Sequence, residues 1–250
     1  MSSQPDLAHL TVEQFSERFK AEMIPLGAKF SYFCIALPMS EEDTREYLTE
    51  PLAAIPPAIL NLLPSVAICL VPYLERTNGK AGDYLVTLER PPENREAVYA
   101  TVNGADGATL LFGIQDREVA EYHYYFYRAL AEVVAPRVPP EVEVKYFGQL
   151  REELGARVHG EVDEASWRLK QALARRQTNV RKESKGFREY AVQSFIDTLT
   201  LYMHGLCCDI DIDTGPRQLP SRYLRKRLEL LRSLFPPPEG YALFPDEARS

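Results

Sequence analysis

Residues 96–114 read EAVYATVNGADGATLLFGI. Two runs rich in apolar and β-branched residues flank Asn103-Gly104 and Asp106-Gly107. Those dipeptides reach positive φ at little cost, so the pattern predicts a tight antiparallel hairpin. Moving outward, residues 84–89 alternate in polarity as a strand does, and Asn78-Gly79 before them marks a turn. Residues 65–75, SVAICLVPYLE, are apolar on both faces, as a central strand would be. Residues 29–37, KFSYFCIAL, are aromatic and β-branched. Together these segments predict an antiparallel meander, a sheet of about four or five strands.

Helical signals surround the strands. Thr11 followed by Gln14 reads as a capping box for a helix over 12–23, with Phe15, Phe19 and Met23 on one face. Ser40 with Asp43 opens a second helix to about residue 48. Residues 115–134 place Val119, Tyr122, Phe126, Leu130 and Val133 at helical spacing. Pro136, Pro139 and Pro140 then interrupt the chain and set a soft boundary, with a sheet-bearing part at 1–140 and a helical part at 141–250.

In the second part, Phe147, Leu150, Leu154, Val158, Val162, Ala165, Leu169 and Leu173 keep one face, which predicts a single long helix over 147–176. A second long helix is expected over 181–206, apolar nearly all round after Phe187. Residues 208–214 alternate like a short strand. A basic amphipathic helix spans 221–235 and stops at Pro236. The expected class is α+β, with flanking helices on an antiparallel sheet in the first half and a mostly helical second half.

The chain has 250 residues, 45% hydrophobic and 26% charged, a balance that supports a packed core. No run of about 18 apolar residues is present, so no membrane span is expected. The start lacks a basic segment leading into an apolar one, and the four cysteines include no CxxC. The expectation is a cytoplasmic protein with reduced thiols. Charge is uneven: residues 1–165 hold 14 Lys/Arg and 26 Asp/Glu, whereas residues 166–250 hold 15 and 10. That asymmetry fits either a basic binding surface or attraction between the two parts.

No GxGxxG, GxxxxGK[ST], GxSxG or HExxH occurs. Asp209-x-Asp211-x-Asp213 starts like an EF-hand loop, but Thr214 and Pro220 stand where that loop needs glycine and glutamate. Three constellations remain. Gln193, Asp197, Thr200 and His204 share one face of the most apolar helix, and His159 and Asp163 stand four apart on the helix expected before it. If those helices pack antiparallel, His159, Asp163, Asp197 and His204 could hold Zn, Mn or Fe, with Glu161 or Glu164 as general base and Cys207 and Cys208 as alternative ligands. A metal-dependent hydrolase follows from that arrangement. The same groups could instead be core polar pairs satisfied by backbone or each other.

The second constellation is basic, at 168–188 and 217–232. Arg175, Arg176, Arg181, Arg222 and Arg225 are the candidate anion-binding residues. The plain alternative is a solvated helix face. The third is the tyrosine-rich run Tyr122, Tyr124, Tyr125 and Tyr127 around His123, which suits a protein partner or a homo-oligomer contact, or else packs on the sheet. The second function class is therefore a non-enzymatic binding or assembly module.

Overall fold

Pro72 divides the strand-rich region in two. The structure, a computed structural model, describes residues 10–77, 83–104, 107–175, 184–208 and 219–244. The Asn78-Gly79 turn, the expected strand beyond Cys208, and Arg176 and Arg181 lie outside the described residues. In chain order the elements are β1 (Leu10–Thr11), α1 (Val12–Phe19), β2 (Ile24–Pro25), β3 (Phe30–Cys34), α2 (Glu41–Thr44), α3 (Glu50–Ala53) and α4 (Pro57–Leu62). Then come β4 (Ser65–Val71), β5 (Tyr73–Arg76), β6 (Tyr84–Thr87), β7 (Glu96–Ala97), β8 (Tyr99–Asn103) and β9 (Gly107–Gly113). The later helices are α5 (Val119–Val134), α6 (Pro140–Gly155), α7 (Glu164–Arg175), α8 (Lys185–Cys207) and α9 (Ser221–Leu234). Together they form an α+β protein with a mostly helical second half. The backbone divides into two compact units: Met1–Leu52 with Leu63–Ala129, and Ala53–Leu62 with Leu130–Ser250.

The first unit holds both sheets, not the single meander expected. One is antiparallel, in the order β1-β6-β5-β7; the other has the order β2-β3-β4-β9-β8. The expected strand over 65–75 is β4 and β5, one in each sheet. Pro72 has no N–H to give a ladder, so the pairing breaks there and the strand changes sheet. The β8–β9 hairpin is antiparallel as predicted, but β3, β4 and β9 pair in parallel. Residues 35–64, between β3 and β4, give the long connection that parallel pairing needs. A Cβ on Gly107 would lie 2.3 Å from the Ser65 carbonyl oxygen, so only glycine fits where β9 meets β4.

Helix α1 begins at the Thr11 capping box, with both reciprocal bonds formed. It ends at Phe19, before a 3-10 turn at Lys20–Glu22, earlier than the expected 12–23. Its Val12, Phe15 and Phe19 pack with Cys69, Val71, Leu74, Val86 and Leu111. Phe112 packs against Tyr122 and Phe126 of α5, with ring centroids 5.2 and 6.1 Å apart. The tyrosine-rich run is therefore largely core: Tyr122 and Tyr127 are fully buried, and Tyr127 donates to the Pro51 carbonyl at 3.0 Å.

The second unit corrects the long helix expected over 147–176. It is two helices, α6 and α7, joined by residues 156–163. The stop is a Schellman motif, in which Val158 N–H bonds the Glu153 carbonyl and Arg157 N–H bonds the Leu154 carbonyl. Arg157 takes the left-handed position at φ 54, where glycine is usual. Val158 and Val162 are buried from the connection rather than from a helix face. They sustained the apolar period across a break that periodicity alone does not register. Helix α8 starts where the Ser184 hydroxyl accepts the Phe187 N–H. Tyr146 of α6 meets Thr198 of α8 at 2.6 Å, and Tyr202 of α8 donates to the Phe235 carbonyl at 2.5 Å, just past α9.

Candidate functional site

The most concentrated chemistry in the second unit is a buried ionic cluster. Helix α9 places Leu224, Arg227, Leu228 and Leu231 on its inward face, so an arginine occupies an apolar stripe. Arg227 is 0% exposed, Glu161 0%, Glu153 1% and Lys170 6%. The Arg227 guanidinium forks between Glu153 Oε2 at 2.5 Å and Glu161 Oε2 at 2.7 Å. Glu161 Oε1 also accepts from Lys170 at 3.1 Å and Tyr190 at 2.5 Å. Ser194 stands between Arg227, at 2.8 Å, and Glu161, at 3.4 Å.

Two cations meet two carboxylates, so the cluster is neutral, and each carboxylate carries several charge-assisted bonds. Burying one such ion unpaired costs several kcal/mol, and complete pairing is what makes the arrangement tolerable. Burial alone would raise the Glu161 carboxyl. The Arg227 charge and hydrogen bonds, then Lys170 and Tyr190, outweigh burial and hold it at about 2. A carboxylate that binds protons so weakly, with both oxygens occupied, is poorly suited to be the general base expected at this position. Burial lowers Lys170 below its ordinary value, with Glu161 opposing. It pushes the Tyr146 phenol up to about 12.

The expected metal ligands take other positions. His159 and Asp163 lie in the α6–α7 connection, not four apart on a helix. His159 is exposed and meets Trp167 edge-on at 4.8 Å. Asp163 accepts the Glu164 N–H at the start of α7. Asp197, on α8, reaches the same helix start, where one oxygen accepts the Ser166 N–H at 3.3 Å and the other the Gln193 amide at 2.8 Å. Asp163 and Asp197 are thus brought together around the N-terminus of α7. The backbone N–H groups of the first turn and the helix dipole already supply positive charge there. His204 is buried on α8, seven residues and about 10 Å of helical rise beyond Asp197. The other base candidate, Glu164, pairs with Arg168 at 2.9 Å.

Cys207 and Cys208 close α8 with their sulfurs within 4.8 Å of each other, so a two-thiol donor set for a metal is present. Among the candidate anion-binding residues, Arg175 is exposed on α7 and bonds Gln171 at 3.4 Å. Arg222 and Arg225 are exposed on α9 together with Lys226. The Arg225 guanidinium lies 4.5 Å from the Phe244 ring centre, and that of Arg222 lies 4.8 Å from Tyr223.

The first unit has an open groove of about 540 Å³ between α1 and the first residues of β4 and β9. Glu13, Glu17 and Lys20 rim it over a floor that includes Val66 and Ala108.

Sequence reasoning missed Glu153 and Tyr190 and counted Lys170 and Arg227 within the basic runs at 168–188 and 217–232, although both are buried. The signal that could have found them is position. Arg227 lies on the stripe of Leu224, Leu228 and Leu231, and Lys170 lies on that of Ser166 and Leu173. Among the described residues no helix is long and apolar enough to cross a membrane. No protein-family model, no curated protein and no solved structure matches the chain.

Proposed function

We propose that the chain is a non-enzymatic binding module that engages a polyanionic partner through the exposed face of α9. The observation that carries this is the locked rotation of α9. Arg227 is held between Glu153 and Glu161, and this turns Arg222, Arg225 and Lys226 to solvent at i, i+3 and i+4 spacing. Contact with the Phe244 and Tyr223 rings positions two of the guanidiniums, which bind oxyanions through their N–H groups. Glu229, paired with Arg225 at 3.4 Å, is the acidic group within this face, and a competing polyanion displaces it.

The test is fluorescence anisotropy with a duplex DNA oligonucleotide, repeated with heparin, across a salt series. Three phosphate contacts give a slope of log K against log salt of about −2.7. Reversing charge at Arg222, Arg225 and Lys226 together removes binding without changing the melting temperature. Absence of binding to both polyanions at low salt, or binding that survives the triple reversal, refutes the proposal.

A further inference from the structure

The paired thiols at the end of α8 carry a second inference, independent of the basic face. Adjacent residues of a helix point about 100° apart. Cys207 is the last helical residue, and Cys208 departs at φ −122°, ψ 141°; the change to extended backbone accompanies a sulfur separation within 4.8 Å. Both residues are half-buried, so an ion can reach them. The other two cysteines differ: Cys69 is buried in the core of the first unit, and the Cys34 thiol is directed at the Leu37 carbonyl at 3.7 Å.

Neighbouring Cα atoms are about 3.8 Å apart, whereas an unstrained disulfide wants about 4.4–6.8 Å. The pair therefore resists closing on itself and persists as a dithiol. Its place at a helix C-terminus adds to the argument. The last carbonyls carry partial negative charge, which disfavours bare thiolates and favours a cation beside them.

We propose that Cys207 and Cys208 form a chelating site for a soft, thiophilic cation. Binding forms two sulfur–metal bonds and releases the two thiol protons to solvent, with no change of oxidation state.

The test is titration of the full chain, reduced and free of any histidine tag, with Cd²⁺, reading thiolate-to-metal charge transfer in the ultraviolet and proton release in weak buffer. The expected result is saturation at one ion per chain with two protons released. Cys207→Ser and Cys208→Ser each weaken binding at least about tenfold. The double variant loses the absorption band, whereas Cys34→Ser keeps it. A folded chain that gives no band, or a band that survives in the double variant, overturns the proposal. A readout on the unaltered chain guards against a variant that fails to fold. Cd²⁺ protects Cys207 and Cys208 from alkylation, mapped by mass spectrometry, and equal labelling with and without the ion overturns the proposal as well.

Discussion

Arg227→Met tests the buried cluster most directly. Methionine has nearly the length of the arginine stem and fills the space between Leu224, Leu228 and Leu231 without a charge. It leaves Glu153 and Glu161 with Lys170 as their only cation in the cluster, a net charge of −1 in a site where those carboxylates are 1% and 0% exposed. Removing one partner of a buried pair costs about 3–5 kcal/mol. The linkage of Glu161 supports that size. Its carboxyl falls from an ordinary 4.5 to about 2 in the folded chain, and that difference corresponds to about 3 kcal/mol. The folded value is depressed, so this stability is present above pH 4.5 and is lost as pH falls from there toward 2. The assay is urea unfolding followed by the emission of Trp167, the single tryptophan of the chain, which lies in the same unit as the cluster. At neutral pH the variant is expected to lose about 3–5 kcal/mol. The gap to the unaltered chain narrows as pH falls through the acid window, because protonation neutralises the stranded carboxylates. Adding Glu161→Gln to the variant restores charge balance, with a coupling of about 1–3 kcal/mol. A gap below about 1 kcal/mol at neutral pH, or a gap that does not change with pH, refutes the reasoning.

Two further predictions concern the start of α7 and the connection before it. Arg157→Gly relieves a left-handed arginine at the Schellman position and raises stability by up to about 1 kcal/mol, read as a higher melting temperature; a loss shows that the arginine side chain contributes more than its backbone strain costs. Asp197→Ala strands the Ser166 N–H and costs about 1–3 kcal/mol. It leaves metal content by elemental analysis unchanged, whereas a fall in zinc, manganese or iron would return Asp197 to the role of ligand.

Local signals were legible where the chemistry is local. The hydroxyls of Thr11 and Ser40 cap their helices in the boxes their spacing announces, and Pro236 stops α9 one residue before the expected end. Most strand positions were legible as well, because alternation and the Asn103-Gly104 dipeptide act within a few residues; the two-residue strands β1 and β2 were not, and the run at 96–102 divides into β7 and β8 in different sheets. Pairing was not. Residues 65–71 are apolar on both faces, as a central and often parallel strand is, but neither that run nor residues 30–34 alone fixes the direction of a neighbour, which depends on the connections between them. The break after Gly155 escaped notice because Val158 and Val162 bury themselves from an irregular segment at positions that also suit a helix. With that break, His159 and Asp163 lost the spacing that had made them look like a ligand pair.

The basic run on α9 shows how one reading can hold two physical roles. Arg222, Arg225 and Lys226 fall off the leucine stripe, whereas Arg227 falls on it, and only the stripe distinguishes them. A charge on an apolar stripe is tolerable only if other elements bring opposite charges to the same place. Glu153 near the end of α6 and Glu161 in the following connection do so, and Lys170 on α7 restores neutrality. The stop after α6 is therefore part of the same arrangement, because a straight helix through residue 161 would carry Glu161 about 12 Å beyond Glu153 along its axis. The turn instead lets one guanidinium reach both carboxylates, and their grip sets which arginines α9 presents to solvent.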